Sequence, residues 1–173
     1  MQTQVITLTK RIAESLAGSV TQTTKMPCKS YSLPVVACKT GFKMAQLPGS
    51  ICSSCYAMKG NYHMYANNIE PAQHARLDAV LTALNNVEYS AVWVDSMATL
   101  IGSDQYFRWH DSGDLQSVDH LHLIVRVCEA TPNCHHWLPT REYAMVKQYI
   151  DAYGALPCTL TVRSLSQLVC KMF

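Results

Sequence analysis

The sequence predicts an α/β protein with an open or partial sheet of parallel strands joined by helical crossovers. After residue 70 the chain alternates short strand-like runs with longer segments of helical periodicity. Connections of that length usually join parallel strands in a right-handed sense. The 173 residues contain too few such strands to close a barrel, so we expect an incomplete, barrel-like sheet beside a cysteine-rich loop region.

Four helices are predicted in this later half from apolar residues spaced at i, i+3, i+4 and i+7. The first follows Pro71, which we place at the first helical position. The second and third are centred on residues 93–101 and 121–128. The fourth is closed by Gly154.

Three strands are predicted between and after these helices, in "QYFRWH", "HHWLPT" and "CTLTVRSL". Three is the minimum number of strands in the sheet, because a strand in the first 40 residues could extend it. The segment "VITLTKRIAESLAGSV" near the start is ambiguous between strand and helix.

The chain is predicted to form one domain, 1–173, with two regions that differ in character. Prolines and glycines punctuate residues 25–69, which indicates loops and short elements, whereas residues 70–173 carry the helices and the βαβαβ pattern. No apolar run approaches the roughly 20 residues that span a bilayer. The first residues contain charges and no apolar signal core, so we expect a cytoplasmic protein. The oligomeric state is left open.

Positive charge is concentrated in the loop region, although the net charge of the chain is only +2. No Asp or Glu occurs between Glu14 and Glu70. This stretch contains five lysines, Lys25, Lys29, Lys39, Lys43 and Lys59, so it carries a charge of +5. Thiolate ligands offer one explanation, because lysines lower thiol pKa values and nearby carboxylates raise them.

Four of the eight cysteines lie in this acid-free stretch, with the spacing C-x9-C-x13-C-x2-C. They are Cys28, Cys38, Cys52 and Cys55, and in a reducing compartment such a set indicates metal ligands or buried thiols. The C-x-x-C pair suits a turn that points two sulfurs at one metal. Irregular spacing favours an iron–sulfur cluster, most simply 4Fe-4S, over zinc as the alternative. Ordinary buried thiols and a redox dithiol remain the other interpretations.

Polar residues follow each of the three predicted strands, where sites gather in parallel α/β folds. His110 and Asp111 follow the first strand, Arg141 follows the second and Arg163 ends the third. We expect these four candidate catalytic residues to converge in one cleft, with the cysteine loop as a wall. The alternative is that the polar residues here serve as helix caps and solvated first turns.

A second set of residues resembles a surface for phosphates and stacked bases. Its members are Lys39, Lys43, Lys59 and Tyr62, with further aromatic residues nearby. The alternative interpretation is that the lysines are simply solvated and that the aromatic rings pack against the cysteine loop.

Three long segments resemble the bacteriophage gene product 88 family: "CKSYSLPVVACKTGFKMAQLPGSICSSCYAMKGNY", "FRWHDSGDLQS" and "HWLPTREY". The resemblance covers roughly residues 25–163. It implies a phage origin, hence the cytoplasm of a host cell, and carries the family's cysteines onto Cys28, Cys38, Cys52 and Cys55. It supplies no reaction. Family members continue beyond the "LTVR" strand, so the ending "SLSQLVCKMF" is expected to reflect a truncated or shifted reading frame.

A more distant resemblance is to radical-SAM-like barrels, which place a cysteine loop after an early strand and polar residues at later strand ends. The chain lacks the C-x-x-x-C-x-x-C motif. A fourth cysteine would also close the iron site at which S-adenosylmethionine must bind. Radical chemistry is therefore not expected.

Three functions follow from these patterns. The first is a phage metalloprotein with an iron–sulfur cluster on four cysteines, in a redox, regulatory or structural role. The second is a zinc-stabilised protein that binds nucleic acid, and a host protein is another possible partner. The third is an enzyme that acts on a phosphate-bearing substrate through the polar residues at the strand ends.

Overall fold

The sheet has five strands, arranged in the order in which they occur along the chain. In this computed structural model, which describes residues 8–22, 26–59 and 61–163, they are β1 (Thr21–Gln22), β2 (Lys29–Tyr31), β3 (Tyr106–Trp109), β4 (His135–Pro139) and β5 (Leu160–Arg163). Strand β1 is antiparallel to β2, and β2 to β5 are parallel. The predicted open sheet is confirmed, and a strand from the first 40 residues does extend it.

Helices connect the parallel strands and flank the sheet. The α-helices in the described ranges are α1 (Lys10–Ala17), α2 (Thr40–Ala45), α3 (Asn61–Met64), α4 (Ala66–Asn85), α5 (Val87–Ile101), α6 (Val118–Ala130) and α7 (Tyr143–Tyr153). Short 3₁₀ helices cover Val35–Ala37, Ile51–Ser54 and Tyr56–Met58. The described part of the ambiguous segment near the start therefore contains a helix, Lys10–Ala17. Its first turn is capped by the Thr9 hydroxyl, which accepts a hydrogen bond from the Ile12 N–H.

Local signals explain where most of these helices begin and end. The Asn86 side chain caps α5, and Ser117 caps α6 by accepting from the His120 N–H at 3.0 Å. Gly154, with φ of 89°, ends α7 as predicted. Pro71 departs from the prediction because it lies inside α4, whose first turn begins at Ala66. The proline lacks one helical N–H near the start of a 20-residue helix, which the rest of α4 tolerates.

The two faces of the sheet differ in burial. Alternate residues of β3 and β4, such as Trp109 and Leu138, are buried against the helices. Trp93 of α5 lies 6.3 Å from Trp109, ring centroid to ring centroid, and both side chains are fully buried. The intervening residues face the other way, and Tyr106 is 56% exposed there. One face therefore builds the core, and the other, which we call the open face, remains accessible.

Two regions named in the sequence analysis lie outside the described residues. These are the C-terminal segment 164–173, including Cys170, and the lysine at position 25. Among the helices that are described, none combines the length and apolar character needed to cross a membrane.

Candidate functional site

A cleft of about 420 Å³ lies at the carboxyl ends of the parallel strands. It brings together the four residues that the sequence placed at strand ends, His110, Asp111, Arg141 and Arg163. Its wall includes Cys52 and Cys55 together with neighbouring residues of the cysteine-rich region. The geometric expectation of one shared cleft with the cysteine loop beside it matches this arrangement. Whether the four residues act in catalysis stays a prediction.

The open face of the sheet continues into this cleft through an alternation of cationic and aromatic side chains. Arg108 of β3 is paired with Trp137 of β4, and its guanidinium carbon lies 4.7 Å from the Trp137 ring centroid. Arg163 of β5 is paired with Pro139 and, by the period of two, shares the face of Trp137. At the far end of the same face, Tyr106 stacks on His135 with ring centroids 5.8 Å apart.

The loop after β3 forms the floor of the cleft and is held in place by backbone contacts. The His110 N–H donates to the Tyr31 carbonyl at 3.0 Å, and the Leu33 N–H donates to the Ser112 carbonyl at 2.8 Å. His110 has φ of 55°, the only positive value at a non-glycine position in the described ranges. This left-handed conformation costs about 1–3 kcal/mol and is characteristic of functional sites. The chain thereby leaves the strand and turns His110 into the cleft lining.

Several buried polar atoms in this floor, and one in the strand before it, have no hydrogen-bond partner among the described residues. They are both ring nitrogens of His110, Oδ1 of Asp111, Oγ of Ser112 and Nε of Arg108. His110, Asp111 and Ser112 are only 3%, 6% and 4% exposed. Buried polar groups are nearly always paired, so this cluster marks a place where a ligand can supply the missing bonds.

The other buried carboxylates around the cleft are fully engaged. Asp114 accepts hydrogen bonds from the Thr140 hydroxyl at 2.5 Å and from the backbone N–H groups of Leu115 and Arg141, each at 2.8 Å. Burial raises the pKa of Asp114, and these three bonds oppose the rise. Glu142 accepts two bonds from Thr40 of α2. These two side chains therefore build the cleft and are not free to meet a ligand.

The imidazole at the floor is neutral at physiological pH. Burial, reinforced by the nearby His120, lowers the pKa of His110 well below 6.5. Burial lowers the pKa of His120 to about 3. The His120 ring accepts through Nδ1 from the Gln116 N–H at 3.2 Å, which places its proton on Nε2. The floor consequently offers hydrogen-bond donors and acceptors, not a positive charge.

The four cysteines of the predicted iron–sulfur site do not converge. Cys38, Cys52 and Cys55 line the cleft, whereas Cys28 directly precedes β2, at the amino end of the sheet and near Cys134. The length of β2, roughly 10 Å, separates the two ends. Across residues 8–22, 26–59 and 61–163, no group of three or more His, Cys, Asp or Glu side chains is placed to hold a metal ion.

The predicted phage metalloprotein with a 4Fe-4S cluster on these four cysteines is therefore wrong, because all four thiolates would have to reach one cluster. Zinc as an alternative cofactor stays a prediction.

Burial dominates the acidity of the cleft thiols. It raises the pKa of Cys38 to about 12, with smaller contributions from Asp114 and from Cys55. The lysine-rich sequence predicts lowered thiol pKa values, but the Lys39 ammonium donates instead to the Gln116 carbonyl at 2.6 Å. Cys38 is therefore a neutral thiol at pH 7, which makes it a poor nucleophile.

The candidate nucleic-acid residues lie around the same wall. Lys43 is exposed on α2, and Lys59 is exposed after the 3₁₀ helix Tyr56–Met58. Lys39 is exposed too, although its ammonium is engaged. Tyr62 is half-buried, and its hydroxyl donates to Oδ2 of Asp111 at 2.8 Å, so it supports the floor.

The open face itself was not predicted from the sequence. Arg108, Trp137 and Tyr106 lie at alternate positions of two adjacent strands, and that alternation is visible in "QYFRWH" and "HHWLPT". What the pattern does not show is which face the helices cover. Ser112 does follow the same predicted strand as His110 and Asp111, but it was not chosen as a candidate, because a serine beside a glycine is typical of an ordinary turn.

Comparison with known proteins gives one match. The family described as Gene product 88, a phage family, matches residues 6–167. Searches of curated proteins and of solved structures each give no match, and the more distant resemblance to radical-SAM-like barrels finds no support. Because the match covers nearly the whole chain, the chain belongs to the Gene product 88 family of phage proteins.

Proposed function

We propose that this phage protein binds single-stranded nucleic acid across the open face of its sheet and the adjoining cleft. The observation that carries the proposal is the placement of Arg108, Trp137 and Arg163 on three neighbouring strands of that face. Arg108 and Trp137 are paired, and Arg163 lies two residues further along, opposite Pro139. Cationic grooves with interleaved aromatic rings are the common design of single-strand binding surfaces. The proposal keeps nucleic-acid binding from the second function predicted from the sequence and does not invoke zinc.

The charges of the cleft favour a polyanion. Arg108, Arg141 and Arg163 all line it, and each guanidinium can contact phosphate oxygens through several N–H donors. Two carboxylates line the cleft. Asp114 is bonded three times, so it does not compete for these arginines, whereas Asp111 lies in the floor and keeps one oxygen unpaired among the described residues. Exposed Lys43 adds positive charge on the neighbouring wall, in a stretch of sequence without acidic residues.

The aromatic side chains supply the second half of the binding chemistry. Trp137 is half-exposed in the middle of the face and Tyr106 is largely exposed at its far end. Stacking of a base on such a ring contributes about 1–3 kcal/mol and tolerates any sequence. Tyr56 and Tyr143 line the cleft at the other end, so aromatic rings occur along the whole path.

Fluorescence anisotropy with a labelled twelve-nucleotide strand tests the proposal. Affinity should fall with salt, with a log–log slope of about −0.7 for each phosphate neutralised. Arg163→Glu should weaken binding to any sequence and remove about one such unit from the slope. Arg11→Glu is the matched control, because it makes the same charge change on exposed α1, which packs against α5 and away from the sheet's open face.

Trp137→Ala tests the stacking contribution separately. It should lower the affinity at least fivefold while leaving the salt slope unchanged, because it removes a ring and no charge. Absence of binding by the native protein at low salt would refute the proposal. Equal losses from Arg163→Glu and Arg11→Glu would show that only the total charge matters and that the open face is not the site.

A further inference from the structure

We infer that the cleft takes one nucleotide of the bound strand and that His110, Asp111 and Ser112 read the edge of its base. This inference rests on the proposed function and specifies which part of the nucleic acid meets the floor. It assigns the phosphates to the arginines and the base to the three buried residues.

The floor has the hydrogen-bond donors and acceptors that recognition of a base edge requires. Oδ1 of Asp111 can only accept a hydrogen bond, whereas the Ser112 hydroxyl and the neutral His110 ring can each donate and accept. All of these atoms are buried and lack partners among the described residues. A ligand that leaves them unpaired would be disfavoured, which is how polar pockets discriminate between close analogues.

A phosphate does not suit this floor. The carboxylate of Asp111 would face it with like charge, and the neutral His110 would not offset that repulsion. The guanidinium groups that suit phosphate lie on the strands and on the loop after β4, where Arg108, Arg163 and Arg141 line the cleft. A nucleotide satisfies both halves, because its phosphate is anionic and its base edge is neutral and polar.

The position of the Asp111 oxygen favours a base that carries an amino group. Cytosine presents an amino group at N4, whereas thymine presents a carbonyl oxygen at the equivalent position, which would repel the carboxylate. Oδ2 of Asp111 is already occupied by the Tyr62 hydroxyl, which leaves one oxygen for the base. We therefore expect cytosine to be preferred over thymine.

The floor is also rigid, as selective binding requires. The loop is bonded to Tyr31, the last residue of β2, and to Leu33 in the chain that follows this strand. Gly113, with φ of 80°, packs so closely that an added Cβ would lie 2.5 Å from the Leu33 Cβ. The volume of about 420 Å³ is within the range of pockets for small organic ligands, and Tyr56 and Tyr143 provide aromatic walls.

The test compares twelve-residue strands of dC, dT and abasic sugar phosphate by anisotropy at one salt concentration. The native protein should bind dC about tenfold more tightly than dT, as one base-specific contact pair predicts, and the abasic strand least. Asp111→Asn should bring the dC to dT ratio towards one, because an amide can donate to the thymine carbonyl. Its salt slope should stay unchanged.

Ser112→Ala is the second variant, and it keeps the test valid if Asp111→Asn does not fold. The Ser112 hydroxyl has no hydrogen-bond partner among the described residues, so its removal should not disturb the fold. It should weaken dC binding and leave the affinity for the abasic strand unchanged. Lys147→Ala, in an exposed ion pair on α7, is the control and should leave the dC to dT ratio as in the native protein.

The outcomes separate this inference from the proposed function. If dC, dT and abasic strands bind within twofold of one another, the base reader is wrong while strand binding stands. If no strand binds, strand binding is wrong, and quenching of tryptophan fluorescence by nucleotides then decides the inference. Stronger quenching by deoxycytidine monophosphate than by thymidine monophosphate supports it, and equal quenching overturns it.

Discussion

The carboxylate of Glu142 accepts two hydrogen bonds from Thr40, one from its backbone N–H at 2.6 Å and one from its hydroxyl at 2.8 Å. Glu142 lies just after β4, and Thr40 is the first residue of α2. A single buried carboxylate therefore joins the carboxyl edge of the sheet to the helix that carries the cleft wall. A charge at the start of a helix is further stabilised by the helix dipole.

Glu142→Ala should detach this wall and destabilise the fold. The half-buried N–H of Thr40 would lose its acceptor, which costs about 1–3 kcal/mol in the free energy of unfolding. Urea denaturation measures this loss. Asp151→Asn is the control, because its partner Lys147 lies on an exposed surface where such pairs contribute about 0–1 kcal/mol. A loss no larger than that of the control would show that Glu142 is not an anchor.

As the pH is lowered, the protein should unfold at a higher pH than its carboxylates alone would predict. Burial lowers the pKa of His120 to about 3 and that of His136 to about 4, and lowers that of His110 well below 6.5. As the pH falls below 6.5 the unfolded chain takes up these protons and the folded chain does not. The free energy of unfolding should therefore decrease by up to about 1.4 kcal/mol per pH unit for each histidine.

Urea titrations between pH 7 and pH 5 measure how the free energy of unfolding changes with pH. His120→Asn should reduce this slope by the contribution of one histidine. Asp114 acts in the opposite direction because its pKa is raised, so the comparison of the two slopes isolates the histidine. Stability that is flat from pH 7 to pH 5 would contradict the burial of neutral histidines.

Gly113→Ala should be more damaging than the same change at Gly154. Both glycines have positive φ, 80° and 89°, so alanine is strained at either position by about 1–3 kcal/mol. Only at Gly113 does the new methyl group also meet Leu33, at 2.5 Å from its Cβ, while Gly154 has no neighbour within 4 Å. We expect the loss of unfolding free energy to be at least about 1 kcal/mol larger at Gly113. Equal losses would mean that the floor loop is free to move.

Thiol reactivity should follow burial. Cys158 is exposed, whereas burial raises the pKa of Cys38 to about 12 and also raises that of Cys128. Because the thiolate is the reactive form, iodoacetamide at pH 8 should label Cys158 more than tenfold faster than Cys38. Peptide mass spectrometry measures the rate at each cysteine separately, and Cys158→Ser should leave the slow rate at Cys38 unchanged. Rapid labelling of Cys38 would show that the wall opens in solution.

Much of the sheet was predictable because each of its later strands and helices carries its own local pattern. The helices around Trp93 and before Gly154 show apolar spacing and a terminal glycine, and both lie where expected. The convergence of His110 with Arg163 followed from topology, since parallel strands place their carboxyl ends on one edge. The start of α4 was misplaced because proline at the first position is only a preference.

The metal site could not be judged from spacing. Nine residues separate Cys28 from Cys38 in the sequence, but β2 lies between them and carries the chain from one end of the sheet to the other. The number of residues between two cysteines does not show whether those residues form a strand that separates them. The open face was hidden for a related reason, since the alternation around Arg108 is the same whichever face the helices cover.

The anchor between Thr40 and Glu142 also has a consequence for the order of events during synthesis. The two residues are 102 positions apart, and at roughly 5–20 residues per second a ribosome needs about 5–20 s to reach the second after making the first. The contacts of Lys39 with Gln116 and of Tyr62 with Asp111 likewise wait for later residues. The wall of the cleft is thus translated early and fastened last, and a chain released before codon 142 would carry it unfastened.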